Sequence, residues 1–276
     1  METGSASNLK YRLVVFQEPV ETEPVRIMMA RELAIHPLDA QRLVAHMPGI
    51  LPGLYDAGQC KRVLDSLFEF QLPAEARSQE SFPELSRSKS VHEFNLTPGG
   101  LNICDVIHKQ TINFLPWNQI GMIAAAKLEL PAVVTEYYPP GIVAGAARVV
   151  RRILGGGALN RKDRIVHSPI APKGEAIIWR KRPHGVFRLS EEKLRYEILG
   201  EHLAETATEN FPRLLRWLAA GADNAFLPES SLIYLGRKGG EIPVYPDLES
   251  LTEMATMELL RSWYRSDRSE SEDTMS

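Results

Sequence analysis

Ten Lys and Arg side chains crowd the stretch from Arg148 to Arg182, against Asp163 and Glu175, and Gly155-Gly156-Gly157 lies inside it. Cationic side chains on a glycine-loosened loop can neutralise phosphate groups, which makes Arg151, Arg152, Arg161, Lys162 and Arg164 candidate anion ligands. The stretch lacks the Gly-Lys-Ser/Thr ending that lets a P-loop wrap a nucleotide, and it does not follow a strand with the required turn. Aromatic side chains on which bases could stack are missing from the loop itself. A solvated insertion between two strands accounts for the same residues more simply.

Other chemistries find less support. Seven histidines, His36, His46, His92, His108, His167, His184 and His202, never take the HxxxH or HxH spacing that puts two metal ligands on one face. Asp105 and His108 are close, but on a strand an odd separation turns them to opposite sides. There is no GxSxG elbow, and His167-Ser168-Pro169 reads as a turn. Cys60 falls on the apolar side of a predicted helix and Cys104 in a predicted strand, so both thiols should be buried and inert. Glu136-Tyr137-Tyr138-Pro139-Pro140 offers a pocket lining but reads better as an edge strand entering a loop. No catalytic residue, cofactor or metal ligand is assigned. An enzyme stays open as an alternative, because carboxylate pairs can be assembled from distant positions.

Composition is that of an ordinary globular chain: 276 residues, 44% hydrophobic and 24% charged, with net charge -3. That balance gives no general attraction to nucleic acid or anionic membrane. Residues 1–8 lack the apolar core of a signal peptide, and no window reaches the length of a membrane helix. Two cysteines outside any CxxC spacing complete the expectation of a reduced, cytoplasmic protein.

The elements fall into two groups. Residues 10–76 read as a small α/β unit. Tyr11 to Phe16 is rich in β-branched and aromatic residues and predicts a strand. Pro24 opens a helix carrying Val25, Met28, Met29 and Leu33, and a second begins near Pro37 with Ala40, Leu43, Val44 and Met47 on one face. Asp56 caps a third bearing Cys60, Val63, Leu64, Leu67 and Phe68, and Phe70 and Leu72 lead into a closing strand.

The run from Ala34 to Val44, with Pro48 after it, resembles the GLGLKEAKxLVxxxP segment of the ribosomal L7/L12 C-terminal domain. The adaptor ClpS shares that fold more distantly. Ile35, Asp39, Ala40, Leu43, Val44 and Pro48 match. The resemblance covers about a quarter of the chain and implies a small docking domain of strand, two helices, strand, helix and strand. Ala34 and His36 stand where that family has glycines, Pro37 where it has leucine, and Leu38 and Gln41 where it has two lysines. Those lysines belong to the surface that meets translation GTPases, so that task is not carried over.

Residues 77–100, with Ser78, Ser81, Ser86, Ser88 and Ser90 among charges and prolines, read as a mobile linker. From 101 to 264 the pattern predicts an antiparallel-sheet α+β domain. Its strands fall at 101–107, 111–115, 121–130, 176–179, 185–189 and 194–199, the last two forming a hairpin around residues 190–193. A helix follows with Phe211, Leu214, Leu215 and Leu218, capped by Thr208 or Asn210, then a strand at 231–235. A C-terminal helix starts at an Asp247 cap with Leu248, Leu251, Met254, Ala255, Leu259 and Trp263. Residues 265–276 read as a disordered acidic tail. The order is similar to PH-like domains, and Leu115 to Ile120 resembles an element of uncharacterised bacterial proteins that brings no activity with it.

The whole is therefore expected to be α+β. The leading expectation is a non-catalytic adaptor or regulatory module whose partner is another protein; the alternative is an anion- or nucleic-acid-binding protein using the 148–182 segment. Were five cations to contact phosphates, binding to an oligonucleotide would fall with salt at a log–log slope of roughly -4 to -5. A flat salt titration removes that alternative.

Overall fold

The computed structural model describes residues 9–85, 87–105, 107–129, 133–137, 164–168 and 171–273. Helices and mostly antiparallel sheets coexist, and the class is α+β. In chain order the small unit comprises β1 (Tyr11–Val15), α1 (Thr22–Leu33), α2 (Pro37–Val44), β2 (Gly49–Ile50), α3 (Ala57–Glu69) and β3 (Ala74–Ser78). Its sheet runs β2-β1-β3 with both pairings antiparallel. The two-residue alternation of β1 explains its packing. Leu13 and Val15 join the helices' core with Met29, Val63 and Leu67, while Val14 points the other way. The closing strand starts at Ala74, after Leu72 has been spent as a core residue.

Local chemistry sets the helix ends. Asp56 caps α3 with a reciprocal box: its carboxylate accepts from Gln59 N at 2.8 Å, and the Gln59 side-chain Oε1 accepts from Asp56 N at 3.0 Å. Pro37 opens α2 after His36, whose Nδ1 accepts from Leu38 N. Helix α1 ends on Ala34 at φ 53, with Ile35 N donating to Ala30 O and Ala34 N to Arg31 O. A left-handed residue there lets the chain turn back, and glycine is the residue that suits it best.

The larger unit continues with β4 (Ser88–Val91), β5 (Phe94–Thr97), β6 (Gly100–Cys104), β7 (Thr111–Pro116), β8 (Ile120–Leu128), β9 (Val133–Tyr137), β10 (Arg164–Ser168), β11 (Lys173–Arg180) and β12 (Gly185–Ser190). Then come α4 (Ala207–Gly221), α5 (Glu229–Tyr234), β13 (Val244–Tyr245) and α6 (Leu248–Asp273). Five strands form one sheet in the order β13-β8-β11-β12-β4, its two outermost strands parallel to their neighbours. Strands β5, β6 and β7 make a second, antiparallel sheet. The large sheet is covered on both faces. Ile123, Ala125, Ala176 and Ile178 face α4 and the three-stranded sheet; Met122, Ala124, Ile177 and Trp179 face α6. Beyond the large sheet, β9 and β10 pair as a ribbon.

Several expectations are corrected. Residues 77–100 are not a bare linker: they hold β4 and β5, and bury Phe82, Leu85, Val91 and Phe94. Their serines and charges misled because β4 is an edge strand, on which Lys89 and Ser90 stay exposed while Val91 is buried. The segment at 194–199 is not a strand. It runs irregularly into a 3-10 turn, Glu197–His202, while β12 takes β11 and β4 as partners. Residues 229–234 are helical, since Ser231 serves the neighbouring sheet with its side chain instead of its backbone. Its hydroxyl donates to Ile123 O and accepts from Ala125 N, closing the open edge of β8. The cap of α4 is Thr206, not Thr208 or Asn210. Finally, α6 continues through Asp273 instead of giving way to a disordered tail at 265. Asp247 does precede α6 as expected, accepting from Ser250 N at 2.8 Å.

Ala34 offers a test of the α1 turn. Ala34→Gly removes the Cβ penalty of a left-handed residue, so urea denaturation should report a stabilisation of roughly 0.5–1 kcal/mol. A loss of stability would show that the helix ends in some other way.

Candidate functional site

A concavity lies on the helical side of the small unit. The end of α1 supplies Leu33 and Ile35, and α2 supplies Asp39, Arg42, Leu43 and His46. The loop from Pro52 to Tyr55 and Gln59 of α3 close the other side around about 530 Å³. Gly53, at φ 103, makes the bend that a side-chain-bearing residue would resist. Tyr55 then fixes the loop. Its backbone exchanges two hydrogen bonds with Tyr11 at 2.9 Å, and its hydroxyl donates to Pro52 O at 2.6 Å. Burial, and then the neighbouring Cys60, push the Tyr55 phenol above its ordinary range, so it stays a neutral donor.

The wall chemistry is apolar below and mixed in charge at the rim. Asp39 and Arg42 pair at 3.2 Å across one turn of α2, both largely exposed. Leu38 and Leu54 stand out to solvent, at 61% and 43% exposure. A rim with both signs of charge favours neither polyanion nor cation. The cleft is suited to apolar side chains with polar flanks.

Arg151, Arg152, Arg161 and Lys162 lie outside the described residues, and Arg164 is described only as the first residue of β10. Glu136 and Tyr137 lie on β9, which does pair as a strand. His167 and Ser168 lie on β10, not in a turn. Asp105 and His108, expected on opposite sides of a strand, sit in the turn between β6 and β7 with Nδ1 3.1 Å from the carboxylate. That carboxylate also accepts from the backbone of His108 and Ile107, which lowers its pKa and stabilises the turn. Cys60 and Cys104 are buried, and burial pushes the Cys60 thiol up. Among the described residues, no group of three or more His, Cys, Asp or Glu could hold a metal ion.

Sequence reasoning missed a buried polar centre in the larger unit. Glu191, 2% exposed, accepts from Gly174 N at 2.7 Å and from the Thr208 hydroxyl at 2.6 Å. It ties β11, the end of β12 and α4 together. Tyr196 donates to its backbone oxygen at 2.7 Å. Gly174 admits the cluster because a Cβ there would come within 2.3 Å of the Tyr234 hydroxyl. Glu191 and Thr208 stand seventeen residues apart in sequence, and no spacing rule joins them. The carboxylate is satisfied by its neighbours and works as a fastening.

No family model, curated protein or solved structure matches the chain. Among the described residues, no helix is long and apolar enough to cross a membrane.

The buried centre makes a pH prediction. Burial first, then the charge of Glu191, pushes the Tyr196 and Tyr234 phenols well above the ordinary 10.0. Above pH about 10 the unfolded chain therefore releases these protons before the folded one, and stability falls as pH rises. The double variant Tyr196→Phe, Tyr234→Phe should lose stability less steeply there in denaturant titrations. Parallel curves would count against the cluster as the cause.

Proposed function

We propose that the chain is a non-catalytic protein-binding module whose small unit docks a short peptide segment of a partner protein in the cleft between α2 and the Pro52–Tyr55 loop. The observation that carries this reading is the cleft itself: an apolar floor of Leu33, Ile35 and Leu43 left open beside exposed Leu54. A volume of 530 Å³ suits a few side chains of a peptide. The paired Asp39 and Arg42 at the rim would orient flanking polar groups, giving direction more than affinity.

The resemblance to the L7/L12 C-terminal domain and ClpS belongs to the same proposal. In its support stand the element order β1-α1-α2-β2-α3-β3 and the left-handed Ala34, a backbone demand that the family's glycine would meet. Leu38, where that family carries lysine, changes the character of the surface from cationic to apolar. A different client follows from that substitution.

The test uses the full-length chain, because α6 covers the other face of the small unit and a shortened chain would bare Val14. Selection from a random-peptide display library should enrich peptides bearing a large apolar residue. Leu54→Lys, at an exposed position lining the cleft, should weaken those peptides by at least about tenfold, or 1.4 kcal/mol. No enrichment, or enrichment that survives the substitution, removes the cleft as a docking site.

A further inference from the structure

Helix α6 packs on two sheets at once. Leu251, Ala255 and Leu259 enter the core of the five-stranded sheet, while Leu260 joins Val14 and Phe82 on the open face of the small sheet. Around that second contact lies a polar girdle. Arg261 donates to Phe16 O at 3.1 Å, and Tyr264 lies against Phe16 with ring centres 4.8 Å apart. Arg77 of β3 donates to Asp267 at 3.0 Å and stacks 4.8 Å above the Trp263 ring.

What distinguishes this seam from a fixed core is the state in which each side would be left by parting. Arg77 already holds both carboxylate oxygens of Glu75, at 2.6 and 3.1 Å, so separation strands no buried charge. Asp267 is 67% exposed and would return to water at little cost. Trp263 keeps Trp179 beside it, with ring centres 5.9 Å apart.

The connection between the units is divided in the same way. Phe82 lies under Arg12 of β1, 5.1 Å from its guanidinium, whereas Leu85 is embedded with the five-stranded sheet. Pro83 and Glu84 fall between these anchors. Beside Phe82 lies a gap of about 600 Å³, lined also by Lys10, Gln79, Glu80, Glu84 and His184. Phe82 thus borders both the α6 contact and this gap, and the chain between the two anchors is only two residues long.

We propose that the second half of α6 is a latch that holds the small unit closed, and that its release lets that unit swing about residues 83–84 and bares the Val14 face of its sheet. The latch is independent of the peptide cleft, which lies on the helical side of the same unit. Its strength rests on charge and on a small apolar centre. Substitution at an exposed position on α6 can therefore weaken it without touching either core.

Thiol labelling of the full chain reads the opening directly. Val14→Cys places a thiol at a position with 0% exposure, and Cys60 and Cys104 serve as internal references inside the two units. Peptide mapping after maleimide treatment gives a rate at each site. Asp267→Arg, which sets like charges against each other at Arg77, should speed labelling at position 14 by about 3–10-fold. Cys60 and Cys104 should keep their rates, and Asp267→Glu should label as slowly as the parent. An unchanged rate at position 14 in Asp267→Arg would overturn the latch. So would a rise at all three thiols together, or an equal rise in Asp267→Glu.

Discussion

The structure depends on one helix having two apolar stripes. Leu251, Ala255 and Leu259 recur every fourth residue and fill the face of the five-stranded sheet. Leu260, about 100° further round the helix, faces the small sheet instead. Without α6, the large sheet would expose Met122, Ala124, Ile177 and Trp179, and the small one Val14. Fully burying an aliphatic side chain contributes about 1.5–3 kcal/mol, so such faces need a cover. The two units share that cover, which couples the packing of one to the other.

The large sheet needed an answer at its edge as well as its face. Beside β8, the strand β13 reaches only Lys127 and Leu128. Phe226 exchanges backbone hydrogen bonds with Gly121 and Ile123, and the Ser231 hydroxyl takes the next donor and acceptor. Three unlike pieces thus stand in for one strand. Close approach is set by small residues: a Cβ at Gly121 would come within 2.4 Å of the Trp179 ring, and one at Gly221 within 2.8 Å of Trp117.

The small unit was legible because its signals are local. A capping box, a proline at the start of α2 and four-residue apolar spacing each act within a turn of helix, and they name the residues that fill its core. The larger unit was legible only in class. Residues 231–235 have a β-like composition, yet Ser231 is placed by a sheet more than a hundred residues earlier, at Ile123 and Ala125. The polar run at 77–100 hid Phe82 and Leu85, whose burial depends on α6 and both sheets. The candidate cleft was half visible. Ile35, Asp39 and Leu43 were singled out, but the Pro52–Tyr55 wall requires the Tyr11–Tyr55 bridge, which no spacing announces.

The ribbon of β9 and β10 stands apart in its pairing. Its strands pair from Val133↔Ser168 to Tyr137↔Arg164, beyond the end of the β8–β11 pairing at Leu128↔Lys173. Whatever joins Tyr137 to Arg164 thus enters and leaves the large sheet through two adjacent, antiparallel chains. Five cross-strand pairs hold these two chains in a register of their own, separate from the one that sets the core of the large sheet.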